Sequence, residues 1–258
     1  RGSHAMTHMP QRELTYAIPA RAWTVVVLLL VAYIVAVIDR QILSLLVQPI
    51  RQDVGITDTQ ISLLQGFAFV ITFTLLGVFL GRIADRGNRR NLIVIGMVVW
   101  CVATVACGFA RNFAELFAAR MLVGVGEAAL SPAAYSLIGD YFQPSKRGRA
   151  MGVYTMATFV GSGVAIIAGA LVILSTMGAS TVEMPLVGAM PSWKAAFVIV
   201  GLPGLVVAAA LLTVREPIRR ERAAEGLKSS TLAFARENLG VLTVMIEGLP
   251  ATRWQASR

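Results

Sequence analysis

The sequence is short of charge. Of its 258 residues only 14% are Asp, Glu, Lys or Arg, whereas 56% are hydrophobic. Water-soluble domains carry about 25% charged residues, so too few are present here to coat a surface facing water. The shortage excludes an ordinary soluble domain and leaves lipid as the solvent for much of the chain. Histidine is scarcer still. Both copies, His4 and His8, lie in residues 1–10, which read as the remnant of an expression tag, so the body has no imidazole for a triad or a metal site. Cysteine is limited to Cys101 and Cys107 within one apolar run, expected to be buried thiols with no further Cys to complete a metal site. No G-x-S-x-G elbow is present. A membrane enzyme is therefore disfavoured, and neither metal nor cofactor is expected.

Acidic residues are also outnumbered, 14 against 23 basic, for a net charge of +9. Such an excess can mark a nucleic-acid binder. Here the basic residues form short clusters between apolar runs, which is how cytoplasmic loops of membrane proteins are built, and no nucleic-acid partner is expected.

What the chain does have is six long apolar runs, at 22–50, 59–80, 91–110, 114–141, 149–176 and 194–214. At about 1.5 Å per residue each helix crosses the roughly 30 Å hydrocarbon layer. Arg82, Arg86, Arg89 and Arg90 follow the second run; Lys146, Arg147 and Arg149 follow the fourth; Arg215, Arg219, Arg220, Arg222 and Lys228 follow the sixth. The opposite side has only Arg51, Arg111 and Lys194. This bias places the N-terminus, both basic loops and the tail in the cytoplasm, with Trp23 and Trp193 expected at the membrane interfaces. The connection at 177–193 is the longest on the outside, and Pro185 and Pro191 keep helix from running through it. Residues 218–227 read as a charged linker. Residues 239–246 read as the start of a seventh span, cut short by Glu247, Gly248 and Pro250, as if the chain were truncated or continued unnaturally. The expected organisation is a tag remnant (1–10), a six-helix bundle (11–217), and a linker with the incomplete start of a second half (218–258).

Charges interrupt the apolar runs at Asp39, Arg40, Arg120, Glu127 and Asp140. Each would cost about 2.5–3.5 kcal/mol at a lipid-facing helix centre, so such residues usually face a bundle interior and mark an ion or substrate path. Arg120, Gly124, Glu127 and Ser131 are spaced to share one helix face, and Pro132 is placed to kink that helix. Arg120 and Glu127 stand roughly 10 Å apart along the axis, too far to pair with each other. The first helix offers partners: Asp39 for Arg120, and Arg40 for Glu127, for a net charge of zero. Tyr33, Arg40, Ser44 and Gln48 form a polar stripe on that helix, while Phe69 and Phe73 share a face with Gly66 and Gly77. Gly66, Gly77, Gly124, Gly126, Gly161, Gly163 and Gly169 are expected at close helix contacts. A buried carboxyl is pushed toward its neutral form by desolvation and toward its charged form by a nearby cation. Asp39 and Glu127 are therefore the candidate proton carriers, with Arg40 and Arg120 as their modulators. The alternative is that these ions only lock helices together.

Gly81-Arg82-Ile83-Ala84-Asp85-Arg86-Gly87-Asn88-Arg89-Arg90 resembles the G-x-x-x-D-R-x-G-R-R loop of the major facilitator superfamily, with Asn88 where the pattern has Gly. Asn tolerates left-handed backbone, so a tight turn is expected to survive there. Arg120-Met121-Leu122-Val123-Gly124-Val125-Gly126-Glu127-Ala128 is similar to the fourth-helix motif R-x-x-x-G-x-G-x-A, whose arginine that superfamily associates with proton coupling. Asp39-Arg40-Gln41-Ile42-Leu43-Ser44 with Gln48-Pro49-Ile50, and Ser62-Leu63-Leu64-Gln65-Gly66-Phe67-Ala68-Phe69, resemble the spinster-like branch. The resemblance implies an all-α polytopic membrane protein, here the first six-helix bundle of a twelve-helix transporter, in a plasma or bacterial inner membrane. Its implied partners are the bilayer, protons, a small amphiphile and the missing C-terminal six-helix half. It implies export of a lipid-like amphiphile at a site including Tyr33, Arg40, Ser44, Phe69, Phe73, Arg120 and Glu127. It also implies a cytoplasmic gate of Gly81, Asp85, Arg86, Arg89, Arg90 and Asp140, with Asp140 held by Arg86 or Arg89. A drug or organic-anion transporter of the same fold is the rival reading.

Overall fold

In lipid a helix satisfies all its own backbone groups, and the six apolar runs fold accordingly. The computed structural model describes residues 19–176, 181–184, 188–217 and 219. Six helices are long and apolar enough to cross a membrane: Pro19–Leu45, Asp58–Arg86, Arg89–Phe109, Phe113–Tyr141, Pro144–Ala170 and Ser192–Leu211, numbered spans 1 to 6. Between spans 5 and 6 an antiparallel hairpin pairs β1 (Thr181–Met184) with β2 (Gly188–Pro191). The seventh-span start and charged linker expected within 218–258 lie outside the described residues, apart from position 219.

The boundaries depart from expectation where proline or capping intervenes. Span 1 ends at Leu45 rather than at 50, and a short helix, Val47–Val54, follows it. Pro49 has no N–H for the Leu45 carbonyl, so the ladder breaks there. Span 2 contains a π-helical turn, Leu63–Phe67, and runs on to Arg86 instead of stopping at 80. Gly81, Arg82, Asp85 and Arg86 thus belong to its last turns, and only Gly87 and Asn88 connect spans 2 and 3. The tight turn survives, but without a left-handed residue at Asn88. Asn88 is extended, at φ −81°, and its side-chain oxygen accepts the Asn91 N–H as the N-cap of span 3. Span 4 breaks at Ala128 and Ala129, one turn before Pro132, whose missing N–H frees the Ala128 carbonyl. Span 5 starts at Pro144, so Lys146, Arg147 and Arg149 ride on its first turns rather than in a loop, and it is interrupted at Met156.

Small residues set the closest approaches. A Cβ on Gly126 would lie 2.5 Å from the Gly96 carbonyl oxygen, and one on Gly124 would meet Thr72 and the Phe69 carbonyl, pressing span 4 onto spans 3 and 2. Gly161 and Gly169 admit Val37 and Leu45 of span 1. Gly66, Gly77 and Gly163 correct the expectation: nothing lies within 4 Å of their missing side chains, because they sit on the open faces of spans 2 and 5. Trp193, in the first turn of span 6, is 1% exposed, and its indole N–H donates to Asp53 at 3.0 Å, so its ring packs within the bundle.

Candidate functional site: a buried four-charge cluster

Successive residues on a helix point about 100° apart, so Asp39 and Arg40 of span 1 face different neighbours. Asp39 turns inward, where its Oδ1 stands 3.6 Å from an Arg120 terminal nitrogen on span 4. Its Oδ2 accepts the Thr104 hydroxyl of span 3 at 2.9 Å. Arg40 lies nearer the open side, with Nε 3.3 Å from Glu127 Oε2 and also donating to the Ala36 carbonyl. Glu127, Asp39 and Arg120 are all but sealed from solvent, whereas the Arg40 side chain is 30% exposed. Both expected pairings are therefore present. The Asp39 and Glu127 carboxyls also come near enough to interact directly.

The pairing is electrostatic more than hydrogen-bonded. Among the described residues, Asp39 Oδ1, both Glu127 oxygens and two Arg120 nitrogens have no hydrogen-bond partner. Two cations and two anions at these distances neutralise one another without locking any side chain into a closed geometry, so a proton on either acid changes the balance among all four.

Aromatic rings frame the cluster. Phe69 of span 2 lies 5.8 Å from the Arg40 guanidinium and 5.9 Å from that of Arg120, close enough for cation–π attraction to both. Phe73 stacks on Phe69, and Tyr33 lies 5.6 Å from the Arg40 guanidinium. Tyr33 stacks in turn on Tyr154, against whose edge Tyr135 packs. Tyr33, Arg40, Phe69, Phe73 and Glu127 thus share one neighbourhood, with Arg120 behind them. Ser44, one turn beyond Arg40, is exposed and forms no hydrogen bond among the described residues. Sequence reasoning missed Thr104, Tyr135 and Tyr154. A lone threonine in an apolar run and two scattered tyrosines carry no spacing signal.

A second cluster closes the basic end. Arg89, 1% exposed, bonds Asp140 at 2.5 Å and Glu216 at 2.7 Å, and donates to the Ser136 carbonyl and hydroxyl and to the Pro217 carbonyl. Arg90 caps span 6 by donating to the Leu212 and Val214 carbonyls, and its backbone N–H reaches Glu216. Tyr141 donates to the Arg215 carbonyl. Of the two arginines expected at Asp140, Arg89 makes the contact. Asp85 and Arg86 point outward and form no ion pair among the described residues. Gly81 lies against Pro132 of span 4.

The sequence profile of the Major Facilitator Superfamily matches residues 29–252. The chain belongs to this superfamily. It is 30% identical over 196 residues to an MFS-type efflux pump of Mycolicibacterium smegmatis, covering 76% of this chain and 42% of that protein. It is 32% identical over 163 residues to protein spinster homolog 1 of Homo sapiens, covering 62% and 31%. A solved bacterial homolog to the human lysosomal transporter Spinster, in an inward-facing and unoccupied conformation, shares the fold at TM-score 0.71 and 33% identity, covering 83% of this chain and 47% of that one. The chain spans less than half the length of each. Spinster-type proteins are thus among its relatives, and its fold is that of multi-pass membrane transporters, not of enzymes.

Proposed function

We propose that the six spans are one bundle of a secondary transporter that moves a lipid-like amphiphile by alternating access, coupled to protons, together with a second six-helix bundle. The observation that carries the reading is the Asp39–Arg120 and Glu127–Arg40 cluster: buried, neutral as a whole, and opening through Arg40 toward an aromatic wall. Arg40 supplies a cation for an amphiphile's anionic head, and Phe69 and Phe73 an apolar surface for its tail. Rocking of the bundles changes the distance from each carboxyl to its arginine, and with it the affinity for a proton. The Arg89 cluster is the latch of the cytoplasmic gate, with Asp140 as its first partner, Glu216 as its second and Arg90 beside it. The M. smegmatis relative, an efflux pump by name, favours a second reading in which the cargo is a drug or organic anion.

The test is uptake of a fluorescent lysophospholipid, against a cationic dye, by proteoliposomes of the complete transporter under an imposed proton gradient. Asp39→Asn and Glu127→Gln mimic the protonated acids, and at least one is expected to abolish gradient-driven uptake while binding persists. If both variants transport with unchanged pH dependence, the coupling reading fails. If only the dye moves, the second reading replaces the first.

A further inference from the structure

A hydroxyl in a membrane helix usually satisfies itself on a carbonyl of its own helix, three or four residues earlier. Thr24, Thr72 and Thr155 do so, on the carbonyls of Ala20, Ala68 and Gly152. Thr104 does not. Its hydroxyl reaches across from span 3 to Asp39 Oδ2 at 2.9 Å, in a site where both residues are 1% exposed. With both acids ionised this is the one hydrogen bond the Asp39 carboxylate receives from the described residues: Oδ1 faces Arg120 without one, and the neighbouring Glu127 carboxyl can donate only when protonated.

We infer that Thr104 is a positioning residue for Asp39, holding its carboxylate against Arg120 and setting the pH at which Asp39 exchanges its proton; the inference rests on Asp39 being a proton carrier. The charged and titratable groups facing Asp39 are Arg40 on its own span, Arg120 and Glu127 on span 4, and Cys101 and Cys107 beside Thr104 on span 3. The arginines attract the carboxylate from any direction, because Coulomb attraction is not directional. While Glu127 is ionised, the Thr104 hydroxyl is what fixes where the Asp39 oxygens point. A hydroxyl both donates and accepts. Toward the ionised acid it donates; once Asp39 is protonated that donor is redundant, and the hydroxyl accepts instead or swings to the Trp100 carbonyl four residues back. A hydrogen bond to the charged form favours that form, so removing the hydroxyl shifts proton uptake to higher pH.

The experiment is an infrared pH titration of the complete transporter in phosphatidylcholine vesicles, reading the carbonyl stretch of protonated carboxyls, with the Asp39 band assigned by its loss in Asp39→Asn. Thr104→Val and Thr104→Ala are expected to move the midpoint of that band up by about one pH unit, the size of a hydrogen bond to a charged group. Thr104→Ser keeps the hydroxyl and is expected to restore the wild-type midpoint. The alanine variant keeps the test decisive if valine prevents folding. An Asp39 band that titrates at the wild-type pH in both hydroxyl-less variants reduces Thr104 to packing and overturns the inference. If no band is lost in Asp39→Asn, the proton-carrier reading itself fails, and the role of Thr104 falls with it.

Discussion

Asp39 on span 1 and Arg120 on span 4 face each other at 3.6 Å with each side chain 2% exposed, so neither charge has water to fall back on. Removing one member of a buried pair strands the other, which costs about 3–5 kcal/mol, whereas removing both often costs little. Arg120→Met is therefore expected to lower thermal stability in detergent sharply. Asp39→Asn combined with Arg120→Met is expected to regain more than half of the loss. Equal unfolding temperatures for the single and the double variant would contradict a direct pairing.

The other pair in the cluster is expected to behave differently. Arg40 is partly exposed, so Glu127→Gln leaves a cation that water can still reach. Its stability cost is expected to be smaller than that of Arg120→Met, because the charge it strands is not sealed from water. The two substitutions measured side by side by thermal unfolding check the ranking, and a larger loss in Glu127→Gln would reverse the assignment of the inner and outer pairs.

Both ion pairs were legible in the sequence because charge inside an apolar run is rare, and helical periodicity says which charges share a face. Thr104 was not legible, since a threonine in a span usually bonds its own helix. The helix ends were misplaced for a related reason. Hydropathy stops at the charged residues 82–86, but the backbone does not, and the helix runs on until Gly87 and the Asn88 cap end it. Nor does the abundance of glycine reveal which glycines touch a neighbour. That depends on which faces the bundle leaves open.

The glycines yield a prediction of opposite signs. Gly126→Ala pushes a methyl into the Gly96 carbonyl and the Trp100 backbone nitrogen, which cannot move aside as a flexible side chain would. It is expected to cost about 1–3 kcal/mol. Gly163→Ala meets nothing within 4 Å and is expected to be neutral or slightly stabilising, since alanine is the better helix former by about 1 kcal/mol. Thermal unfolding of the two variants decides it.

Orientation has its own check. The two native thiols, Cys101 and Cys107, are buried, so a single cysteine at Asp85 or at Arg149 gives a clean labelling signal. With the basic end in the cytoplasm, a membrane-impermeant maleimide is expected to label neither position in intact cells and both after permeabilisation. Labelling from outside would invert the topology.

The last prediction concerns the basic end, where one guanidinium holds three elements together. Arg89 opens span 3, and its donors reach Asp140 and Ser136 of span 4 and Glu216 and Pro217 beyond span 6. A lysine keeps the charge but not the planar fork, so Arg89→Lys loses most of these contacts at once. Asp140 is 8% exposed and Glu216 22%, which makes Asp140→Asn the more damaging of the two acid substitutions. Arg86, exposed and outside the network, serves as the control. Spin-label distances between the basic ends of the two bundles of the complete transporter report the population open to the cytoplasm. The expected order of opening is Arg89→Lys, then Asp140→Asn, then Glu216→Gln, with Arg86→Ala unchanged. If Arg86→Ala opened the gate as far as Arg89→Lys, the latch would be general surface charge and not the buried Arg89 fork.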